Sequence, residues 1–295
     1  MQPPKLKGAA IAILVVGATG TVGTAIRDAV IDRSQFRLAL RDRSRGPAGF
    51  ASVPFDLARP QTYAAALDGV SRLFLLFPPQ LNERSKRISE LLSAAKQAGV
   101  ERIVFLSVRN ANRLPILPHR HIEKAIEASG IAWTHLRPND FMQNFATVPA
   151  YRDAIRDHGE IWSAAGRSLT SYVDVRDVGT VAVKVLTEEG HAGKAYTLTG
   201  PVSLSLDHVA GIMTRALGRG VRYMRPSIPA FLFHARRSGA GWPLAIVMTG
   251  IGLVARSGLA RSVDPTLAKL LGHEPRTFEA FVRDYAATWA ADPLG

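Results

Sequence analysis

The sequence predicts an α/β fold, a doubly wound parallel sheet followed by a smaller helix-rich C-terminal part, and three observations predict it. Short apolar runs alternate with amphipathic stretches through the first half of the chain. A glycine-rich turn joins the first apolar run to the first amphipathic one. After Gly200 the strand pattern gives way to helices with clear start signals. Alternation of this kind implies parallel strands with helical crossovers, because a parallel pair cannot be joined by a tight turn.

The elements follow in order. Ile11–Val16 is apolar throughout, as a strand covered on both faces must be. Val22, Ile26 and Val30 then recur every four residues beside Ala25 and Ala29, which is a helix face. Strands are expected at Arg37–Arg41, Arg72–Phe77, Arg102–Ser107 and Ala132–Arg137, with helix faces at Ile88/Leu91/Leu92/Ala95 and Ile122/Ala125/Ile126 between them. A strand at Ser171–Val175, a helix face of Val178/Val181/Ala182/Val185 and a strand at Ala195–Thr199 would complete the sheet. Asp207, Asp264-Pro265 and Thr277 read as starts of later helices, with Gly272 as a stop. This places a sheet domain at 9–199, with 141–170 bordering a substrate pocket, and a small substrate-binding domain at 200–295.

Composition narrows the function classes. The chain has 295 residues, 47% hydrophobic and 21% charged, so it can bury enough apolar surface to fold. It has no cysteine, which removes disulfides, thiolate nucleophiles and cysteine-ligated metals, and the expected location is the cytoplasm. The net charge is +13, but the basic residues are scattered and no nucleic-acid motif accompanies them, so no nucleic-acid partner is expected. No membrane partner is expected either. Ala9–Val16 runs straight into the glycine turn and has no cleavage pattern. The uncharged stretch Gly239–Ala255 contains Pro243 and falls short of the roughly 20 residues of a spanning helix, which leaves a buried or lid-forming helix.

The glycine turn is Gly17-Ala-Thr-Gly20-Thr-Val-Gly23, set between the first strand and first helix. Such a turn needs glycine for three reasons: a tight bend at Gly17, close approach to a pyrophosphate at Gly20, and close helix packing at Gly23. With Thr19, Thr21 and Val22 it forms the expected dinucleotide site, at a helix N-terminus suited to an anion. The second strand ends Leu40-Arg41-Asp42-Arg43, where Arg41 and Arg43 suit the 2′-phosphate of NADPH; Asp42 keeps NADH as the less favoured alternative. Asp56 is placed either to reach adenine or to cap a helix. Phe77, Pro78 and Ser107 end further strands along the edge where open parallel sheets bind ligands.

Four segments carry a resemblance to a known family: Gly17–Gly23; Phe105-Leu-Ser107-Val; Pro118 to Gly130 leading to Trp133–Phe145; and Tyr196-Thr-Leu-Thr-Gly200-Pro201. The chain resembles the NmrA-like, atypical short-chain dehydrogenase/reductases, including quinone reductase-like and triphenylmethane reductase-like enzymes. The resemblance implies a Rossmann domain with a small C-terminal substrate domain. It also implies an NADPH-dependent oxidoreductase passing hydride to a small apolar carbonyl, quinone or conjugated substrate. The alternative is a non-catalytic NADP(H)-sensing regulator, which the absence of a Tyr-x-x-x-Lys pair leaves open. Quinone reductase-like members resemble the chain at His119-x-x-x-Glu123, so His119, with Glu123 as its orienting partner at i, i+4, is a candidate catalytic and cofactor-binding residue. His121 is the alternative to His119. Asn139 is a further catalytic candidate, and Phe141, Asn144 and Trp242 are expected in the substrate pocket. Capping of the Val178 helix is assigned to Asp177. No metal site is expected, and the chain should be a monomer or homodimer.

Overall fold

The computed structural model describes residues 12–42, 44, 46–78, 84–115 and 117–290; Arg43 lies outside them. Among the described residues the strands β1 (Ile13–Val16), β2 (Phe36–Leu40), β3 (Ala51–Pro54), β4 (Arg72–Leu75), β5 (Arg102–Leu106), β6 (Ala132–Pro138) and β9 (Lys194–Leu198) form one sheet in the order β3-β2-β1-β4-β5-β6-β9. Every pairing from β3 to β6 is parallel, with Val15 opposite Leu38 on one side and Phe74 on the other. The order reverses direction between β1 and β4, and the crevice at the carboxyl ends of such strands is where a doubly wound sheet takes its ligand.

Two compact units share the chain. One comprises Met1–Arg137 with Val178–Tyr196, the other Pro138–Asp177 with Thr197–Gly295. Where the sequence placed a single boundary after residue 199, residues 138–177 thus pack with the C-terminal part.

In the first unit β1 is completely buried, as its unbroken Ile-Leu-Val-Val run requires. Helices α1 (Thr21–Ala29), α2 (Tyr63–Leu67), α3 (Arg84–Gln97), α4 (Pro118–Ala128) and the body of α7 (Val175–Thr187) cover the sheet. Leu14, Leu73, Phe105, Leu91, Ile122 and Ile126 belong to one core cluster. Gly179 of α7 lies so close to α1 that a Cβ there would stand 2.6 Å from the Ala25 carbonyl carbon. At the far end of the sheet, Arg72 and Arg102 are buried and both reach Glu189, while also donating to the carbonyls of Leu186 and Glu188, respectively.

The second unit contains α5 (Asn144–Thr147), α6 (Pro149–His158), α8 (Leu206–Leu217), α9 (Ile228–Arg237), α10 (Trp242–Arg256), α11 (Thr266–Leu271) and α12 (Phe278–Asp284). Two short ribbons join them, β8 (Leu169–Thr170) antiparallel to β10 (Leu204–Ser205), and β7 (Glu160–Ile161) parallel to β11 (Arg222–Tyr223). Met142, Phe145, Ile155 and Tyr172 share a core with Val209, Phe278, Phe281 and Trp289.

Several expectations change here. Ser171–Val175 adds no strand to the large sheet; Val173 makes a single bridge to Phe141, and α7 already begins at Val175. Asp174, rather than Asp177, accepts from the Arg176 backbone N–H at the start of α7, while Asp177 binds the side chain and backbone N–H of Arg276. Ser205 caps α8 in place of Asp207. Thr277 caps α12, and Gly272 ends α11 in the left-handed conformation, as the sequence indicates. Most of the stretch 239–255 lies in α10, whose outward face is open to solvent and not buried.

Candidate functional site

The loop after β1 supplies the first part of the site. Gly17 has φ +85°, a region that side chains with a Cβ rarely adopt. At Gly23 a Cβ would lie 2.2 Å from the Gly17 carbonyl oxygen and 2.5 Å from Ala18 Cα, so the helix can approach the strand this closely only with glycine. Gly20 differs from both. Its backbone is extended (φ −83°, ψ 176°), and a Cβ would meet only the Gly17 oxygen, at 3.6 Å. Among the described residues nothing demands glycine there, which leaves room for a ligand. Gly20 caps α1 without a side-chain acceptor, and the first N–H groups of that helix are therefore available to an anion. These features fit a dinucleotide diphosphate at Gly17, Thr19, Gly20, Thr21, Val22 and Gly23.

The remaining residues of the first unit occupy the same carboxyl ends. Arg41 is exposed immediately after β2. The neighbouring Asp42 accepts from both the backbone N–H (3.0 Å) and the hydroxyl (2.7 Å) of Ser44. Asp56 follows β3 and accepts from the Ala58 N–H at 2.9 Å, which stabilises its own turn. Phe77, after β4, is a member of the apolar core, so its ring is not offered to a ligand as the sequence reading placed it; Pro78 beside it is half-buried.

Ser107 follows β5 and is nearly inaccessible. Its hydroxyl donates to Glu123 Oε1 at 2.7 Å. Arg137, on the next strand, donates to both oxygens of the same carboxylate at 2.8 and 2.9 Å, and Arg120 reaches Oε2 at 3.0 Å. Burial would raise the Glu123 pKa, but hydrogen bonds from Arg137 and Ser107 and the nearby positive charge outweigh it, and the net shift is downward. Glu123 is therefore a buried anion. Its carboxylate is held by Ser107, Arg137 and Arg120, where the sequence assigned it to orienting His119. His119 lies in the first turn of α4, half-buried, its ring centroid 6.3 Å from that of Phe105. His121 instead lines a groove of about 800 Å³ between α3 and α4 and is exposed.

A second group adjoins Glu123 and was not visible in the sequence. His135 is fully buried, stacked on Trp133 with ring centroids 4.4 Å apart, and its Nε2 lies 3.3 Å from Glu127 Oε1. Burial lowers its pKa against the pull of Glu123 and Glu127, which favours the neutral ring. Among the described residues Glu123, Glu127 and His135 bring possible metal-ligand atoms within 4.8 Å of one another. Arg120 bridges both carboxylates and Arg137 grips Glu123, so their negative charge is already matched.

In the second unit Asn139 is buried, and its amide nitrogen donates to the Ser171 carbonyl, the Ser171 hydroxyl and the Ala260 carbonyl, each at 2.9 Å. Its amide donors are occupied by the fold, so it does not present them as the expected catalytic group. Phe141 is half-buried beside Val173. Asn144 donates to Asp140 Oδ1 at 2.6 Å. Burial pushes the Asp140 carboxyl up to about 6, opposed by that hydrogen bond. Tyr151 and Tyr172 are also raised, first by burial and then by the charge of Asp140. Sequence reasoning passed over Asp140 although it adjoins Asn139. Trp242 is 57% exposed beneath the Arg236 guanidinium, 5.0 Å from the ring centroid, and does not line an enclosed pocket.

A parallel sheet whose order reverses beside a glycine turn and an uncapped helix N-terminus defines the class, a dinucleotide-binding Rossmann protein. The chain belongs to the NmrA-like family, whose model matches residues 10–282. It is 34% identical over 290 residues to an NAD(P)H azoreductase from Xenophilus azovorans, with 95% of this chain and 99% of that protein covered. The crystal structure of the Escherichia coli NADPH-dependent quinone oxidoreductase complexed with NADPH matches with a TM-score of 0.83 at 28% identity, over 92% of this chain and 99% of that one. The Citrobacter triphenylmethane reductase complexed with NADP(H) shares the fold, with a TM-score of 0.82 at 24% identity over 93% of this chain and 100% of that one. Among the described residues no helix is long and apolar enough to cross a membrane.

Proposed function

We propose that the protein is an NADPH-dependent oxidoreductase that passes hydride to a small, apolar quinone, carbonyl or conjugated acceptor. The end-to-end similarity to an NAD(P)H azoreductase carries this reading, and the turn at Gly17–Gly23 supports it with a fitting cradle. The nicotinamide, when bound, supplies the hydride. The α1 N–H groups and Gly20 hold the diphosphate, and Arg41 favours the 2′-phosphate over a bare ribose. Ser107, its proton directed to Glu123, keeps its oxygen lone pairs as acceptors at the strand edge. Glu123 and Arg137 position Ser107 and do not exchange protons with the acceptor. His119, at the start of α4, serves as proton donor or cofactor contact. Phe141 and Asn144 remain the proposed substrate contacts. A cytoplasmic location and a monomeric or homodimeric state belong to the same proposal.

The test is oxidation of NADPH by the purified chain over a panel of quinones, azo dyes and enones. Acceptor-dependent oxidation is expected. Tight binding of NADPH with no oxidation above background across the panel would overturn the reductase reading in favour of a cofactor-sensing regulator.

A further inference from the structure

We infer that the α9–α10 hairpin is a docking surface for an anionic phospholipid bilayer, an inference that goes beyond the reductase reading and stands without it. The outward face of α10 is apolar and exposed at Trp242 (57%), Ile246 (62%), Val247 (48%), Ile251 (43%) and Leu253 (45%), and Phe233 of α9 adds to it at 64%. Soluble surfaces seldom carry so many large apolar side chains together, and a contiguous set marks an interaction site. Between Arg237 and Arg256 there is no charged residue. With 15 residues, α10 is too short to span a bilayer, so the geometry is that of a helix lying in the interface with its apolar face turned to the lipid.

The charge around the face selects the partner. Residues 208–263 contain eight arginines and no aspartate or glutamate. Arg222 and Arg225 are met by Glu160 and Asp207 from outside that stretch. Arg236 and Arg237 flank one end of the apolar face, where they lie over Trp242 and Phe233, and Arg256 closes the other end. A second copy of the chain seated symmetrically on this face would bring arginine against arginine with no carboxylate in the segment to relieve it. An anionic lipid surface offers both an apolar interior for the exposed side chains and negative headgroups for the arginines, and tryptophan is favoured at that boundary. The sequence excluded a membrane partner because nothing spans; surface docking needs no spanning segment.

The experiment is flotation of the full-length protein with vesicles of phosphatidylcholine alone, or with about one third phosphatidylglycerol, using wild type, the double variant Ile246→Asp/Ile251→Asp, and Arg237→Glu. NADPH binding and melting temperature verify that each variant is folded. Wild type is expected to float with the anionic vesicles, with partitioning at least about tenfold weaker on phosphatidylcholine alone and for the double variant, and a smaller loss for Arg237→Glu. Equal partitioning onto both vesicle types, or unchanged partitioning of the folded double variant, would overturn the inference. So would a wild-type dimer in analytical ultracentrifugation that the double variant dissolves, since the face would then belong to a second copy.

Discussion

Replacing Gly20 with alanine separates what the turn does for the fold from what it does for the cofactor. Among the described residues the new methyl would meet only the Gly17 oxygen, at 3.6 Å, and the backbone at φ −83°, ψ 176° suits any residue. Alanine at a helix N-cap costs about 1 kcal/mol relative to a good cap, and lowering the entropy of the unfolded chain returns about 0.4–1 kcal/mol, so stability should change by about 1 kcal/mol or less. A bound diphosphate faces a different outcome. The methyl would hold the phosphates away from the α1 N–H groups, and each weakened charge-assisted hydrogen bond is worth about 1.5–3 kcal/mol, or roughly ten- to hundredfold in affinity. Gly23→Ala is the contrast, because its methyl would stand 2.2–2.6 Å from the backbone of Gly17 and Ala18 and should destabilise the protein by about 1–3 kcal/mol or more. Titration calorimetry with NADPH and thermal melting read the two effects separately. A folded Gly20→Ala protein binding NADPH within about twofold of wild type would refute the assignment of that space to the diphosphate.

Further predictions concern charged groups. Arg41→Ser should lower the ratio of NADPH to NADH affinity by at least about tenfold without moving the melting temperature, because Arg41 is exposed; an unchanged ratio in calorimetry would show that another residue reads the 2′-phosphate. Glu123→Gln leaves Arg137 without its buried counter-charge and Arg120 with Glu127 alone, and should cost about 3–5 kcal/mol in denaturant melts. Since the folded pKa of Glu123 is depressed, its stabilisation is complete above the ordinary glutamate pKa and is lost as pH falls through the lower folded value; wild type but not Glu123→Gln should show this loss. Asp140 has the opposite sign. With its pKa raised from 3.8 to about 6 in the folded state, a penalty of at most about 3 kcal/mol develops between those values and persists at higher pH. Asp140→Asn keeps an oxygen acceptor for Asn144 and should flatten that part of the stability profile; identical pH profiles would place Asp140 in a better solvated site.

The sheet was legible because its central strands are buried on both faces, and no other demand produces runs such as Ile13–Val16 and Arg102–Leu106 between helical periods. The turn was legible because glycine at three fixed positions answers backbone constraints. The grouping of residues 138–177 with the C-terminal part was hidden, since it depends on Phe145, Ile155 and Tyr172 sharing a core with Phe278 and Trp289, contacts that local periodicity does not encode. Cap residues were misplaced by a turn or less: Asp207 and Asp177 sit within the first turns of helices that Ser205 and Asp174 begin. The site suffered most where a polar residue had two possible uses. Asn139 holds the Ser171 and Ala260 backbone, and Glu123 holds Ser107, Arg120 and Arg137. One signal was available for Glu123: it lies on the helix face of Ile122 and Ile126, and a carboxylate buried there needs a cation such as Arg137.

Direct hydride transfer is tested by the single-turnover rate of NADPH oxidation with an acceptor from the panel, comparing ordinary cofactor with cofactor deuterated separately at each of the two nicotinamide C4 positions. The prediction is a slower rate with deuterium at one of those positions and an ordinary rate at the other, as expected when a fixed ring presents one face to the acceptor. Equal rates for all three cofactors in a turnover limited by chemistry, or no oxidation with any acceptor, would contradict it.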